Sequence, residues 1–281
     1  MALLFVVFFG QRQVQGANEN YGLGARSAAI ANASVTLSDI WSLHHNQAGL
    51  SGIRGITASV FYENRFGLKE LGLKAVGLVI PVPNAGNGVF GLSFSQFGYS
   101  LYNDTKIGLA YAKKLGEKYS VGIQVDYFQT QIGEDYGSTG AVTAEAGLIA
   151  ELINNLYFGV HIFNPTRAKL LDYKVQETTV SEHVPTVMRC GLSYVFSEKV
   201  RLSVETEKDI YYEPFFKAGI EYQIIDQLYI RGGISTDPVY NSFGFGLNIN
   251  RLCIDVAASR HQVLGYTTQV NLTYDFGKKD K

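Results

Sequence analysis

From about Ile53 to Phe276 the chain alternates apolar and polar residues with a period of two. Tyr119, Val121, Ile123, Val125 and Tyr127 alternate with Ser120, Gly122, Gln124 and Asp126. Phe216, Ala218, Ile220, Tyr222 and Ile224 alternate with Lys217, Gly219, Glu221 and Gln223, and Phe243, Phe245, Leu247 and Ile249 with Gly244, Gly246, Asn248 and Asn250. Side chains on a strand point to opposite faces in turn, so this pattern predicts strands with one apolar and one polar face. About 14 such segments follow one another, about 16 residues apart, from near Gly55 to near Thr268. No stretch reaches the roughly 18 uninterrupted apolar residues that a membrane-crossing helix requires.

The connections add a second pattern. Lys114–Glu117, Ile153–Asn155, Ser197–Lys199, Ile225–Gln227 and Asn250–Arg251 read as tight turns after the even-numbered segments. Ile132 to Gly140, and above all Asn164 to His183, read as long loops after odd-numbered ones. Short turns at one end and longer loops at the other describe an outer-membrane barrel with periplasmic turns and external loops. An even strand count then puts both termini on the periplasmic side.

In such a barrel the apolar face meets lipid and the polar face lines the lumen. The polar face carries Gln124, Asp126, Glu145, Arg189, Arg201, Glu205, Lys217, Glu221, Arg231 and Asp255, interspersed with glycines such as Gly108, Gly159, Gly191, Gly219 and Gly233. Tyr119, Tyr127, Tyr222, Tyr274 and Phe276 stand near segment ends, where interfacial aromatics belong. The fold expected is therefore all-β: a transmembrane antiparallel barrel of about 14 strands.

Composition narrows the choice further. The 281 residues are 46% hydrophobic and 13% aromatic but only 17% charged, which excludes an intrinsically disordered chain. A net charge of −1 argues against a nucleic-acid partner, which needs a basic face. Two cysteines exclude a disulfide scaffold, and Cys190 and Cys253 fall on opposite faces of their strands. At the N-terminus, Ala2 to Phe9 is continuously apolar but too short to span a bilayer. It reads as the core of a signal peptide over residues 1–16, although no Lys or Arg precedes it.

Residues Tyr21 to Ile53 carry more specific motifs, Gly24-Ala25-Arg26-Ser27-Ala28-Ala29 and Asn46-Gln47-Ala48-Gly49-Leu50. Farther on come Ala218-Gly219-Ile220-Glu221-Tyr222, Ile230-Arg231-Gly232-Gly233 and Phe243-Gly244-Phe245-Gly246. In this order they resemble the long-chain fatty-acid transporter superfamily, in particular its Bacteroidetes branch of PorV/PorQ-like barrels linked to type IX secretion. Gln47 stands where that family usually has Pro, so the rigidity a proline imposes is missing. The resemblance implies that an N-terminal segment, residues 17–52, folds into the lumen as a hatch. Its motif residues are Gly24, Ala25, Arg26, Asn46, Gln47, Ala48, Gly49 and Leu50. The barrel would then occupy 53–277, with a tail at 278–281.

Candidate chemistry is sparse. His44, His45, Asp39 and His161 lack a recognised metal-ligand spacing, so no metal and no cofactor is expected. No catalytic motif is recognisable, and the chain is expected not to be an enzyme. Arg189, Glu205, Lys217, Glu221, Arg231 and Asp255 alternate in sign across successive strands and read as a charge lattice on the lumen wall. In the long loop, Arg167, Leu170, Leu171 and Tyr173 are the candidates for external recognition. The leading expectation is a non-enzymatic accessory in secretion or envelope assembly, with membrane lipid and other envelope or secretion proteins as partners. The alternatives are a transporter of small hydrophobic molecules and a structural subunit of a larger membrane complex. All place the chain in the outer membrane of a Gram-negative bacterium.

Overall fold

The computed structural model describes residues 22–82, 86–133, 137–175 and 178–277, with the side chains of 170–183 left aside. The proposed signal segment 1–16, the tail 278–281 and the side chains of Leu170, Leu171 and Tyr173 lie outside the described residues. The strands are β1 (Thr57–Asn64), β2 (Gly72–Val82), β3 (Gly88–Tyr99), β4 (Tyr102–Leu115), β5 (Tyr119–Ile132), β6 (Ser138–Ile153), β7 (Leu156–Phe163) and β8 (Lys169–Val175). They continue with β9 (Thr178–His183), β10 (Val187–Phe196), β11 (Val200–Asp209), β12 (Phe215–Ile225), β13 (Leu228–Thr236), β14 (Val239–Ile249), β15 (Leu252–His261) and β16 (Gly265–Asp275). Fourteen of these close into one antiparallel barrel in which every neighbour is adjacent in the chain order, β10 following β7 and β16 pairing back onto β1. β8 and β9 form a separate hairpin inside the long connection.

The turns at one end are as tight as the sequence predicts. Asn154-Asn155, Asp226-Gln227 and Asn250-Arg251 each join two strands directly. Asn155 and Asn250 take the left-handed conformation, with φ of 68° and 52°, which asparagine tolerates better than most residues.

The opposite end differs from expectation. The loop expected from Ile132 to Gly140 shrinks to 133–137, because Gln131 pairs with Ser138 and Thr130 with Thr139 and so extends the ladder. The connections 100–101, 237–238 and 262–264 are also short, so length at this end is concentrated in 65–71 and 164–186.

Alternation sorts the faces as lipid requires. Leu109, Ile123, Val125, Phe216 and Phe245 point outward and are exposed, as are the end aromatics Tyr119, Tyr127, Tyr222, Tyr274 and Phe276. The intervening polar residues are buried inside, including Gln124, Asp126, Glu145, Glu205 and Asp255.

The interior departs from the expected polar lumen in one sector. Phe61, Leu73, Ala75, Val79, Val89, Ala110 and Ala112 make an apolar patch on the inner face of β1–β4, and they pack against Leu23, Ile40, Trp41, Leu43 and Leu50. The alternation there is between two apolar sets, one for lipid and one for the segment inside.

Residues 22–56 form that inner segment. Two short helices, α1 (Ala25–Ala29) and α2 (Ser42–His45), and a 3-10 turn over Gln47–Gly52 give it shape. Nearly all of it from Leu23 to Ser51 is buried.

Candidate functional site

Three chains of polar contacts fasten the inner segment to the barrel wall. In the first, Arg26 donates Nε and Nη2 to Glu221 at 2.8 and 2.6 Å and Nη1 to Asp39 at 3.2 Å. Glu221 also accepts from Arg231 Nε at 2.6 Å, and Arg231 Nη1 donates to Asp255 at 2.6 Å. Asp255 accepts from Asn271, whose side-chain oxygen accepts the backbone N–H of Ala25 at 2.8 Å. The chain thus begins and ends on α1, crossing β12, β13, β15 and β16.

A second chain runs through β11, β12 and β10. Glu205 Oε2 accepts the backbone N–H groups of Ser34 and Val35 at 2.7 and 2.8 Å. Lys217 donates to Glu205 and Glu207 at 3.1 and 2.5 Å, Glu207 accepts from Arg189 at 2.9 Å, and Arg189 returns to the His44 carbonyl at 3.2 Å. A third is centred on Glu145, which accepts from Gln47 at 2.6 Å, from His161 at 2.9 Å and from Lys106.

All six residues of the expected lumen lattice therefore occupy the inner wall, joined in two groups: Arg231, Glu221 and Asp255 in one, and Arg189, Glu205 and Lys217 in the other. Glu207, Asn271, Lys106, Glu145 and Gln47 carry equally important contacts. The inward parity of Glu207, Asn271, Lys106 and Glu145 was readable from the alternation; the partners these residues find, and the Gln47 contact, were not.

The hatch-motif residues all lie in the inner segment. Gly24 holds a φ of 95° over the Trp41 ring, and Asn46 donates to the carbonyls of Val35, Leu148 and Val160 at 2.7, 3.1 and 3.3 Å. Ala48, Gly49 and Leu50 are fully buried in the 3-10 turn. Gln47 uses its amide where a proline has none, binding Glu145 and the Leu43 carbonyl. Arg167 is exposed in the long connection.

Close approach of the segment to the wall depends on missing side chains. A Cβ at Gly219 would stand 2.4 Å from Ile30 Cβ, and one at Gly233 would stand 2.3 Å from the Ile30 carbonyl carbon. The next two residues, Ala31 and Asn32, hold φ of 56° and 58°, an unusual pair for non-glycine residues. Tyr240 donates to the Ala31 carbonyl at 3.1 Å and Lys217 to that of Asn32 at 3.4 Å, holding this bend in place.

Burial sets the protonation of the inner histidines. Desolvation, reinforced by Arg189 and Lys217, pushes His45 down to about 3, while its Nε2 donates to the Leu23 carbonyl at 2.5 Å. His44 is likewise held far below the usual imidazole value by burial and by Lys106. Among the described residues no cluster of three or more His, Cys, Asp or Glu is arranged to hold a metal ion.

Among the described residues, open cavities lie on either side of the inner segment, and two of them are the larger ones. The upper one, about 640 Å³, has Asn32 and His45 at its floor and Phe66, Phe97, Phe215 and Tyr240 on its walls. Its cations are paired: Arg65 with Glu63, and Arg189 and Lys217 with Glu207. The lower one, about 460 Å³, lies under Arg26 and Trp41 and is lined by Tyr229, Arg251, Cys253 and Asp275. Cys190 faces the lipid side and both cysteines are free, as their opposite parity requires.

A closed antiparallel barrel with an apolar exterior, a charged interior and an occupied lumen is a transmembrane β-barrel of the outer-membrane type. Among solved structures it is similar to that of a Pseudomonas aeruginosa FadL homologue, with 14% identity, a TM-score of 0.67, and 89% of this chain and 97% of that chain covered. It is also similar to the P. putida toluene transporter TodX, with 13% identity, a TM-score of 0.67, and 93% and 100% covered. The Ralstonia pickettii toluene transporter TbuX gives 12% identity, a TM-score of 0.67, and 92% and 99% covered. At these identities the likeness is one of fold. No family profile matches the chain, and no curated protein matches it in sequence.

Proposed function

We propose that the chain is an outer-membrane conduit for small hydrophobic molecules, with residues 22–56 acting as its hatch. The observation that carries this reading is the upper cavity, closed below by the inner segment: Phe66, Phe97, Phe215 and Tyr240 line it alongside Glu63, Arg65, Arg189, Glu207 and Lys217, whose charges are paired with one another. Apolar and aromatic walls with a few fixed polar groups are the usual lining of a site for a small apolar ligand. The paired cations leave little free charge to attract a hydrophilic ion. The shared fold with the toluene transporters TodX and TbuX supports the same reading. Passage requires the hatch to shift, because it separates the upper cavity from the lower one.

The test is uptake by cells that lack their own hydrophobic-solute transporter. Expression of this chain is expected to accelerate entry of a monoaromatic hydrocarbon and leave entry of a hydrophilic sugar unchanged. Equal hydrocarbon uptake with and without the protein would sink the proposal.

A second reading, a protein-binding accessory of the PorV/PorQ-like kind, is favoured by how tightly the lumen is filled. Three polar chains and an apolar seat on β1–β4 suit a rigid scaffold as well as a gate. A stable protein partner recovered from native membranes, together with absent hydrocarbon uptake, would favour it.

A further inference from the structure

Asp126 on β5 and Glu145 on β6 face inward side by side, and neither side chain reaches solvent. They share their donors. Lys106 Nζ bonds Glu145 Oε1 and lies 3.5 Å from Asp126 Oδ1, and Gln124 Nε2 donates to Asp126 Oδ1 at 2.7 Å and to Glu145 Oε1 at 3.4 Å. The two carboxyl groups are also hydrogen-bonded to each other. Ionised carboxylates only accept, so a bond between two of them requires that one carry a proton.

The charge count agrees. Among the described residues the pair meets one ammonium within ion-pair reach, that of Lys106. His161 offers Nε2 to Glu145 at 2.9 Å and leaves Nδ1 buried without a partner. A second N–H on that ring would be a buried donor with no acceptor, so the geometry suits a neutral imidazole. Arg189 from β10 and His44 from α2 also act on Glu145, but Arg189 is paired with Glu207 and His44 is kept neutral by burial. Two ionised carboxylates beside one ammonium would leave a buried negative charge uncompensated, which is costly. The donors decide where the proton sits. Glu145 accepts from Lys106, Gln124, Gln47 and His161, all of which favour its ionised form. Asp126 accepts from Gln124, and its Oδ2 receives no hydrogen bond among the described residues.

We propose that Asp126 is a carboxylic acid in the folded protein at neutral pH, donating to an ionised Glu145, and that this shared proton keeps Glu145 in place to hold the inner segment through Gln47. Loss of the proton would leave two carboxylates competing for Lys106, and their repulsion displaces the Glu145 oxygen that Gln47 binds. When the segment is unseated, water reaches the pair and both groups ionise. The seated state therefore binds one proton more than the unseated one, so seating weakens as pH rises. This catch is separate from the anchors on Glu205 and Glu221, and it is independent of what passes through the barrel.

The experiment combines infrared spectroscopy with Trp41 emission on the purified full chain in detergent. An un-ionised carboxyl has a carbonyl stretch well above that of a carboxylate. The wild-type protein at neutral pH is expected to show such a band, to lose it at alkaline pH, and to lack it in Asp126→Asn. Incorporating aspartate with a heavy carboxyl carbon shifts the band in the wild-type chain, so its assignment does not rest on a variant that folds. Asparagine keeps a neutral donor at this position. Asp126→Asn should therefore seat the segment normally at neutral pH and retain native Trp41 emission into the alkaline range where the wild-type emission shifts to the red. A wild-type spectrum without an aspartate-sensitive acid band, or with the same band in Asp126→Asn, would overturn the proposal. So would a folded Asp126→Asn barrel whose segment is unseated at neutral pH, or an alkaline emission shift with the same midpoint in both proteins.

Discussion

His44 and His45 are packed where burial and nearby cations outweigh whatever would favour an imidazolium. His45 ionises at about 3 in the seated segment against 6.5 in a free chain, because burial and the nearby Arg189 and Lys217 oppose the proton. Between those values only the released state binds the proton, so stability contributed by seating rises with pH and falls as the solution is acidified through this window. Trp41 is the single tryptophan, 2% exposed inside the segment, and reports on that equilibrium. Acidification from neutral pH toward 3 is expected to red-shift its emission while the β-sheet circular dichroism persists, and His45→Gln should reduce the shift. Gly219 tests the fit of the same segment. Gly219→Val places a branched side chain against Ile30 and should cost about 1–3 kcal/mol in chemical unfolding, the range for overpacking. At this scale the sequence was least legible. It showed that Glu205 and Gly219 share the polar face, but nothing local to Glu205 told that its partners would be the Ser34 and Val35 amides, some 170 positions earlier in the chain.

Strands were legible because each carries its own periodicity, and a register slip would turn every apolar residue away from lipid. Two elements escaped that logic. The inner face of β1–β4 carries an apolar patch because α2 and the 3-10 turn cover it, and alternation alone does not reveal a covering element. The connection after β5 looked long because Ser138, Thr139 and Gly140 lack large apolar side chains, yet their backbone pairs with β5. The span from Ala33 to Leu37 is held by Glu205 and has no ladder of its own. Glu205→Ala leaves two buried backbone N–H groups without acceptors and Lys217 with less charge compensation. It should lower the unfolding free energy by about 3–5 kcal/mol, as breaking a buried ion pair does. Glu205→Gln keeps an acceptor oxygen and should lose less, as measured by denaturant titration followed at Trp41.

For the whole molecule, the strand order and closure followed from counting alternating segments, whereas the state of the lumen did not. Charges and glycines along the wall are compatible with an open channel, and only the contacts of residues 22–56 show it filled. Loosening the fastenings should therefore change permeation more than it changes the barrel. In planar bilayers the wild-type protein is expected to conduct weakly, and the double variant Glu205→Ala/Glu221→Ala to open larger, more frequent steps. Equal conductance in both would mean that the segment stays seated without these carboxylates.

The fastening of α1 also dictates an order of events during assembly. Ala25 is bound by Asn271, 246 positions away, and the other anchors on Glu205 and Glu221 lie 170 to 195 positions ahead of the residues they hold. Contacts this distant in sequence incur the largest chain-closure penalty and form late. Residues that are made before the barrel strands are thus the last to find their partners, and until β16 is in place α1 has no complete seat. Refolding into micelles should show the β-sheet signal, and the gel shift of a closed barrel, arriving before Trp41 emission reaches its native value. Protecting an unseated N-terminal segment is then part of making this protein, and a nascent chain lacking β16 would carry its apolar inner residues uncovered.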